Sequence, residues 1–292
     1  VSESSILDWL RSTSRASSRV PIPIGDDLAA LKLDANDGLI LVGVDQVLDR
    51  VHFDAREHAP ELIGRKAVNR NLSDCAAMAC EPVAAVLSLA LPRGCGDDFV
   101  KRLIDGARDA CSAFNCHLVG GDTGSWDGPL AVTVAVIGAS RGVEPIRRSG
   151  AKPGDHLYIT GPLGGSILGR HLTFEPRVTL ARELVRACEV HAMLDLSDGL
   201  SRDLPRLCAA SNVGATIDAS LIPIHADARK LPGDPLDHAL HDGEDYELLF
   251  AAPACDHPAA ICIGTITAEP GVRITRDGTT RPLEPRGWDH AL

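Results

Sequence analysis

The chain has 292 residues, 29 basic against 40 acidic for a net charge of −11, and is 45% hydrophobic, 24% charged and only 3% aromatic. That negative excess argues against binding a polyanion without metal help, and so few rings leave no stacking platform for single-stranded nucleic acid. No apolar run reaches the length of a membrane span, and the length suits two domains with a core each.

The opening VSESSILDWL lacks the basic leader and long apolar core of a secretory signal, so a cytoplasmic protein is expected. Ser4–Arg11 reads as a short amphipathic helix, followed by a Ser/Arg-rich linker to Arg19. A GDD turn ends at Asp27, and two strands follow, Leu28–Leu33 and Leu39–Asp45, parted by a turn at Asp34–Gly38. After a polar loop, Pro60 starts a helix reaching Ala79, with apolar or small residues at 63, 67, 68, 72, 76 and 77. Asn71, Asp74 and Met78 recur on it at steps of three and four, which points one face at a cleft. Val83–Leu91 is a strand, Asp97–Phe114 a long amphipathic helix, and His117–Gly121 and Leu130–Ala139 are strands around a GGDT turn.

Basic, Gly and Pro residues at Glu144–Gly154 mark a junction between domains 1–143 and 144–292. The second half restarts with a strand at His156–Thr160 and the glycine turn GPLGG at 161–165, either a phosphate approach or purely structural. Helices near Ser166–Leu172 and Pro176–Cys188 precede the apolar run Val190–Leu194, which enters LDLSDGL and a helix to Ala210. A strand at Ala215–Ile217, a loop region rich in Pro and His, the GEDYELLF segment and closing strands complete a mixed α/β order. The nine cysteines show no C-x-x-C and no zinc spacing, so buried free thiols in a reducing compartment are expected, without a disulfide framework.

Carboxylates stand beside Gly or Ser where strands stop: Asp27, Asp45, Asp74, Asp122, Asp195, Asp198 and Glu244. Any one of them serves as a helix cap or turn residue. Gathered together they repel by roughly 3 kcal/mol per pair at 5 Å and an effective dielectric near 20. A fold tolerates that when the groups protonate, disperse or hold hard cations, and Mg²⁺ is commonly shared between carboxylates and a substrate's phosphates. No Walker loop, no G-x-G-x-x-G after a strand, no HRD or DFG and no G-x-S-x-G elbow is present.

The chain resembles the thiamine-monophosphate kinase family of the aminoimidazole-ribonucleotide-synthetase-like superfamily. The resemblance rests on GDD (25–27), D-x-x-x-x-x-VHFD (45–54), K-x-x-x-x-NLSDCAAM (66–78), GGDT (120–123), RSGAKPGD (148–155), LDLSDGL (194–200), GEDYELLF (243–250) and GWDH (287–290). It implies a two-domain α/β fold with mixed sheets, a homodimer whose N-terminal domains form a β-barrel, and phosphoryl transfer from ATP to thiamine monophosphate. The acceptor is already an ionised phosphate, so no general base is implied. By the resemblance Asp27, Asp45, Asp74, Asp122, Asp195 and Asp198 hold several Mg²⁺ ions. Gly121, Asp122, Arg148 and Ser197 contact ATP, and His52, Glu244 and Trp288 line the acceptor site. Neither a nucleic acid nor a membrane is an implied partner. Departures from the family pattern stand at Gly43-Val44, where a hydroxyl pair is usual, at Val47-Leu48-Asp49-Arg50, at Arg70, at Gly165, where Asp is usual, and at Asp242. They leave a non-catalytic or divergent binder of nucleotide or thiamine phosphate as the alternative. Selenophosphate synthetase and the hydrogenase-maturation relative are disfavoured because no Cys precedes Cys75 and the sequence ends WDHAL. Aminoimidazole-ribonucleotide synthetase is not expected to combine VHFD with GEDYE.

Overall fold

In the computed structural model the described residues are 21–22, 26–32 and 38–287. The expected helix at Ser4–Arg11, its linker, Gly25 and Trp288 lie outside them. The first half is an open five-stranded sheet in the order β1 (Ala29–Leu31), β2 (Ile40–Leu48), β5 (Ala131–Ala139), β3 (Glu81–Pro92), β4 (His117–Trp126). All its pairings are antiparallel except β3 with β4. Strand alternation decides the faces. Val132, Val134 and Val136 of β5 and Leu87 and Leu89 of β3 point into the core, whereas Val44, Val86 and Ile137 stay exposed. Among the described residues no sheet closes on itself, so the barrel is not a property of the single chain. The GGDT stretch is a second correction, since Gly120–Thr123 runs inside β4 in register with β3 and is no turn.

The buried face is covered by α1 (Pro60–Ala77) and α2 (Asp97–Ser112). These helices cross with almost no space between them. A Cβ on Gly64 would stand 2.0 Å from the Leu103 carbonyl oxygen, and one on Gly106 would stand 2.1 Å from that of Glu61. α2 is amphipathic, but α1 is buried nearly all round, Lys66, Asn69, Asn71 and Ser73 included. The expected cleft-facing stripe is therefore narrower than read. Asn71 bonds back to the Ala67 carbonyl, Met78 is core, with its sulfur accepting the Leu28 N–H at 3.2 Å, and Asp74 alone of the three reaches the acidic site described below.

The second half carries a seven-stranded sheet, β12 (Thr279–Pro282), β11 (Gly271–Arg276), β8 (Gly214–Asp218), β10 (Ile261–Thr267), β6 (His156–Ile159), β9 (Leu248–Ala252), β7 (Ala192–Asp195), antiparallel except β11 with β8. Both faces are buried, so its central strands read as apolar runs. Tyr158, Met193, Leu248 and Phe250 join the core of the first half, together with Leu172 after the start of α3 (Arg170–Thr173) and Leu184 of α4 (Val178–Ala187). Leu157, Ile159, Leu194 and Leu249 form a second core under α5 (Leu200–Ser211) and α6 (Pro235–His241). α6 falls within what reads as a Pro- and His-rich loop. It starts on the Asp234 side chain, which accepts the Leu236 N–H, with Pro235 in its first turn.

The thiol expectation is corrected at one pair. Cys188, which ends α4, is bonded to Cys255 beyond β9, and the other seven cysteines are free. α1, α2 and α5 end in the same cap, with Ala79, Asn115 and Asn212 in the left-handed region. The next N–H in each, from Cys80, Cys116 and Val213, returns to the carbonyl of Cys75, Cys111 and Cys208. Among the described residues no helix is long and apolar enough to cross a membrane.

The helix crossing sets a test. Gly64→Ala inserts a methyl where backbone already stands, so it should destabilise the fold by about 1–3 kcal/mol, as overpacking does. Urea melts of the two proteins measure this, and an unchanged midpoint would refute the close approach.

Candidate active site

β7 ends at Asp195, and Ser197, Asp198 and Gly199 turn the chain into α5. Asp195 Oδ2 accepts the Ser73 hydroxyl of α1 at 2.6 Å. One helical step further along α1 is Asp74, and Asp27 arrives from the segment before β1. One carboxylate oxygen from each of Asp27, Asp74 and Asp195 lies within 4.8 Å of the other two. Three separate segments thus bring carboxylates to one point. Burial, then Asp195 and Asp45, push the Asp74 carboxyl well up from its ordinary range. Burial and Asp27 raise Asp195 to about 7 against the Ser73 hydrogen bond and Arg148. Arg148 grips Asp27 with two bonds, of 3.0 and 2.8 Å, and its N–H donates to Asp26 at 2.7 Å. An all-oxygen donor set that its own field holds partly protonated fits a hard divalent cation.

The other acidic candidates are distributed differently. Asp45 on β2 contributes to the field at Asp74 and Asp195 and pairs with Arg70 at 3.0 Å. Asp198 is held by Arg206, which also binds buried Asp203 at 2.8 Å. Asp122 and Gly121 lie on exposed β4, where a Cβ on Gly121 would stand 1.8 Å from the Leu87 carbonyl oxygen.

Beside the carboxylates is a cavity of about 440 Å³ between the two halves, walled by Val51, His52 and Arg70 on one side and by Ser197, Asp198 and Glu244 on the other. A buried cation behind that wall was not foreseen. Lys66 of α1, 0% exposed, donates to the His52 carbonyl at 2.7 Å and stands 2.7 Å from Glu244 Oε1. Burial outweighs Glu244 and lowers this ammonium to about 8. Lys66, Arg70 and Asp74 stand at steps of four, and that charged stripe on an otherwise buried helix was the available signal. Glu244 and Tyr246 have φ of +53° and +52°, rare for residues with a Cβ. The strained alternation sends these two side chains to the cavity and those of Asp245 and Glu247 inward. Asp245 accepts the Gly164 N–H at 2.9 Å and binds Arg170, and Glu247 binds Arg177 and Thr160. Tyr246 stacks on Phe174 with centroids 3.9 Å apart.

The glycine turn proves structural. The N–H groups of Gly164 and Gly165 are spent on Asp245 and Asp242, not presented to a ligand. Gly165 has φ +74°, and a Cβ there would stand 2.4 Å from the Ala228 nitrogen, so the Asp usual in the resembling family does not fit.

The family model described as AIR synthase related protein, N-terminal domain, matches residues 25–140, and its C-terminal counterpart matches residues 152–276. A thiamine-monophosphate kinase of Rhodopirellula baltica is 40% identical over 286 residues, covering 94% of this chain and 88% of that protein. The enzyme of that name from Bacillus subtilis is 33% identical, covering 94% of each. A solved structure of AaThiL complexed with AMPPCP and TMP superimposes with a TM-score of 0.87 at 28% identity, over 99% of this chain and 97% of that one.

The acidic trio sets a test in pH and added Mg²⁺. In metal-free protein the folded chain keeps the Asp195 proton up to about 7, whereas the unfolded chain releases it near 3.8. Stability should therefore fall as pH rises from about 4 to about 7. Asp74→Asn removes a second carboxyl whose ionisation burial, Asp195 and Asp45 oppose in the folded chain, and should raise the melting temperature at pH 7 in EDTA by about 2–4 °C, roughly 1 kcal/mol. Millimolar Mg²⁺ should stabilise the parent and not the variant. Calorimetry in both buffers decides, and equal Mg²⁺ responses would remove the cation from the trio.

Proposed function

The chain belongs to the thiamine-monophosphate kinases of the AIR synthase related family, and on that premise we propose that it phosphorylates thiamine monophosphate to thiamine diphosphate at the expense of ATP. The observation that carries this reading is the trio Asp27, Asp74 and Asp195 beside a cavity whose wall includes Glu244 and His52. Donor and acceptor phosphates meeting between them need charge neutralisation and alignment more than a proton acceptor. Asp27, Asp45, Asp74, Asp122, Asp195 and Asp198 are assigned to several Mg²⁺ ions. When bound, these neutralise charge on the transferring phosphoryl group. The Arg148 guanidinium, which rests on Asp27, is assigned to the nucleotide phosphates together with Gly121, Asp122 and Ser197.

On the acceptor side, Lys66 holds the Glu244 carboxylate and the His52 backbone in one arrangement, so the wall is set before the acceptor arrives. Glu244 and His52 are assigned to thiamine monophosphate, with Trp288 supplying a ring face for the thiazolium cation.

A homodimer completes the reading. The outer face of the first sheet exposes Val44 (65%), Val86 and Ile137, with Val119 (63%) and Trp126 on its edge strand β4. Two such faces packed together would bury apolar surface and form the barrel that one chain lacks. A cytoplasmic location is part of the proposal and is supported by seven free thiols, the Cys188–Cys255 bond being the exception.

A coupled ADP-release assay should show turnover that requires both thiamine monophosphate and Mg²⁺, lost by a hundredfold or more in Asp74→Asn. ADP release indifferent to thiamine monophosphate would reject the kinase assignment. Trp288→Ala should raise the KM for thiamine monophosphate about tenfold, or roughly 1.4 kcal/mol, with that for ATP little changed. Light scattering should give twice the mass of the chain, and Val44→Lys should halve it; a monomeric parent protein would sink the dimer.

A further inference from the structure

The carboxylates in the wall of the acceptor cavity already have partners. Glu244 faces Lys66, Asp198 is held by Arg206, and Asp242 lies 3.0 Å from His238 Nδ1. Among the described residues lining the cavity, Arg70 is the one arginine or lysine. It is also one of the departures from the family pattern, and 14% of its side-chain surface is exposed.

The helix determines where this guanidinium stands. Lys66, Arg70 and Asp74 follow one another at steps of four, so Arg70 is about 6 Å along the α1 axis from each. Lys66 is fixed to the acceptor wall through Glu244 and the His52 carbonyl, and Asp74 belongs to the trio. Glu244 and Asp74 are both near enough to act on the Arg70 charge, so the guanidinium lies between wall and trio. Two contacts with β2 aim it. Nε stands 3.0 Å from Asp45 Oδ2, and Nη1 donates to the Gln46 carbonyl at 3.4 Å. Nη2 has no hydrogen-bond partner among the described residues. A guanidinium presents its N–H groups as a planar fork that matches phosphate oxygens.

In the transfer, one oxygen of the acceptor phosphate forms a bond to the γ-phosphorus of ATP. The bond from that phosphorus to ADP breaks, its electron pair leaves with ADP, and no proton moves. The attacking oxygen has to stay open, so a cation from the protein belongs on the other oxygens. We propose that Arg70 binds those non-attacking oxygens of thiamine monophosphate and makes the cavity select a phosphorylated acceptor over free thiamine. This role rests on the kinase reading, and Asp45 positions the fork.

Calorimetric titrations in EDTA compare the two compounds without metal at the trio. The parent should bind thiamine monophosphate at least tenfold more tightly than thiamine. Arg70→Gln should reduce that preference to twofold or less with thiamine affinity unchanged, and Arg70→Lys should keep at least threefold. Glutamine also leaves Asp45 unscreened, so the double variant Asp45→Asn, Arg70→Gln is titrated too and should stay as indifferent to the phosphate as the single one. A preference restored in the double variant means that Arg70 only screens Asp45, and overturns the role. So does a preference kept by Arg70→Gln, an equal loss for both compounds, or phosphate selection that appears only with Mg²⁺. A parent that binds neither compound, with Mg²⁺ or without, removes the acceptor assignment itself, and the role of Arg70 with it.

Discussion

Asp27, Asp74 and Asp195 crowd their carboxylates together, burial and like charge oppose the ionisation of Asp74 and Asp195, and much of the surrounding structure offsets that repulsion. Ser73 donates to Asp195, Arg148 covers Asp27, and Arg70 neutralises Asp45, which would otherwise deepen the field. Two of these supports, Ser73 and Arg70, and the carboxylate of Asp74 come from α1. A helix buried on nearly every side is an unusual carrier for charge. Here its surroundings fix the geometry of the groups it delivers.

The same helix ties the two halves. Lys66 reaches from α1 to Glu244 in the second half, and Asn69 donates to the Phe174 carbonyl. Sheet residues of the second half, Met193 and Phe250 among them, share the apolar core of the first. The cavity is thus a seam between bodies already locked by packing and by a buried ion pair. Breaking such a pair from one side leaves a charge without compensation. The GEDYE segment shows how a short stretch serves both purposes, with alternate residues lining the seam and latching onto the second half.

Much of this was legible in the sequence, because strand ends, Gly-Asp turns and long helices are local signals. The run into LDLSDGL located the Asp195 turn, and the span of α1 was read to within two residues at its C-terminal end. What the sequence hid was non-local. Which carboxylates converge depends on three segments meeting, and nothing local separates Asp74, which joins the trio, from Asp122, which lies on an exposed strand. GGDT looks like a turn by composition, yet pairing with β3 keeps it extended, a case of tertiary context overriding local preference. The Cys188–Cys255 bond joins residues 67 apart and leaves no mark in spacing. Lys66 was passed over because a lysine on a helix is ordinarily solvated, and only the packing of α1 reverses that expectation.

The strand order of the first sheet bears on how the chain is made. β5 is the last of its five strands to be synthesised, yet it sits in the middle, between β2 and β3. Until residue 139 has left the ribosome, β2 and β3 each expose a long edge that has no permanent neighbour, with α1 and α2 already available to pack. Closure of that sheet is a late, long-range event, spanning about a hundred residues from β2 to β5, and a nascent chain stalled before β5 would present two sticky edges to its neighbours.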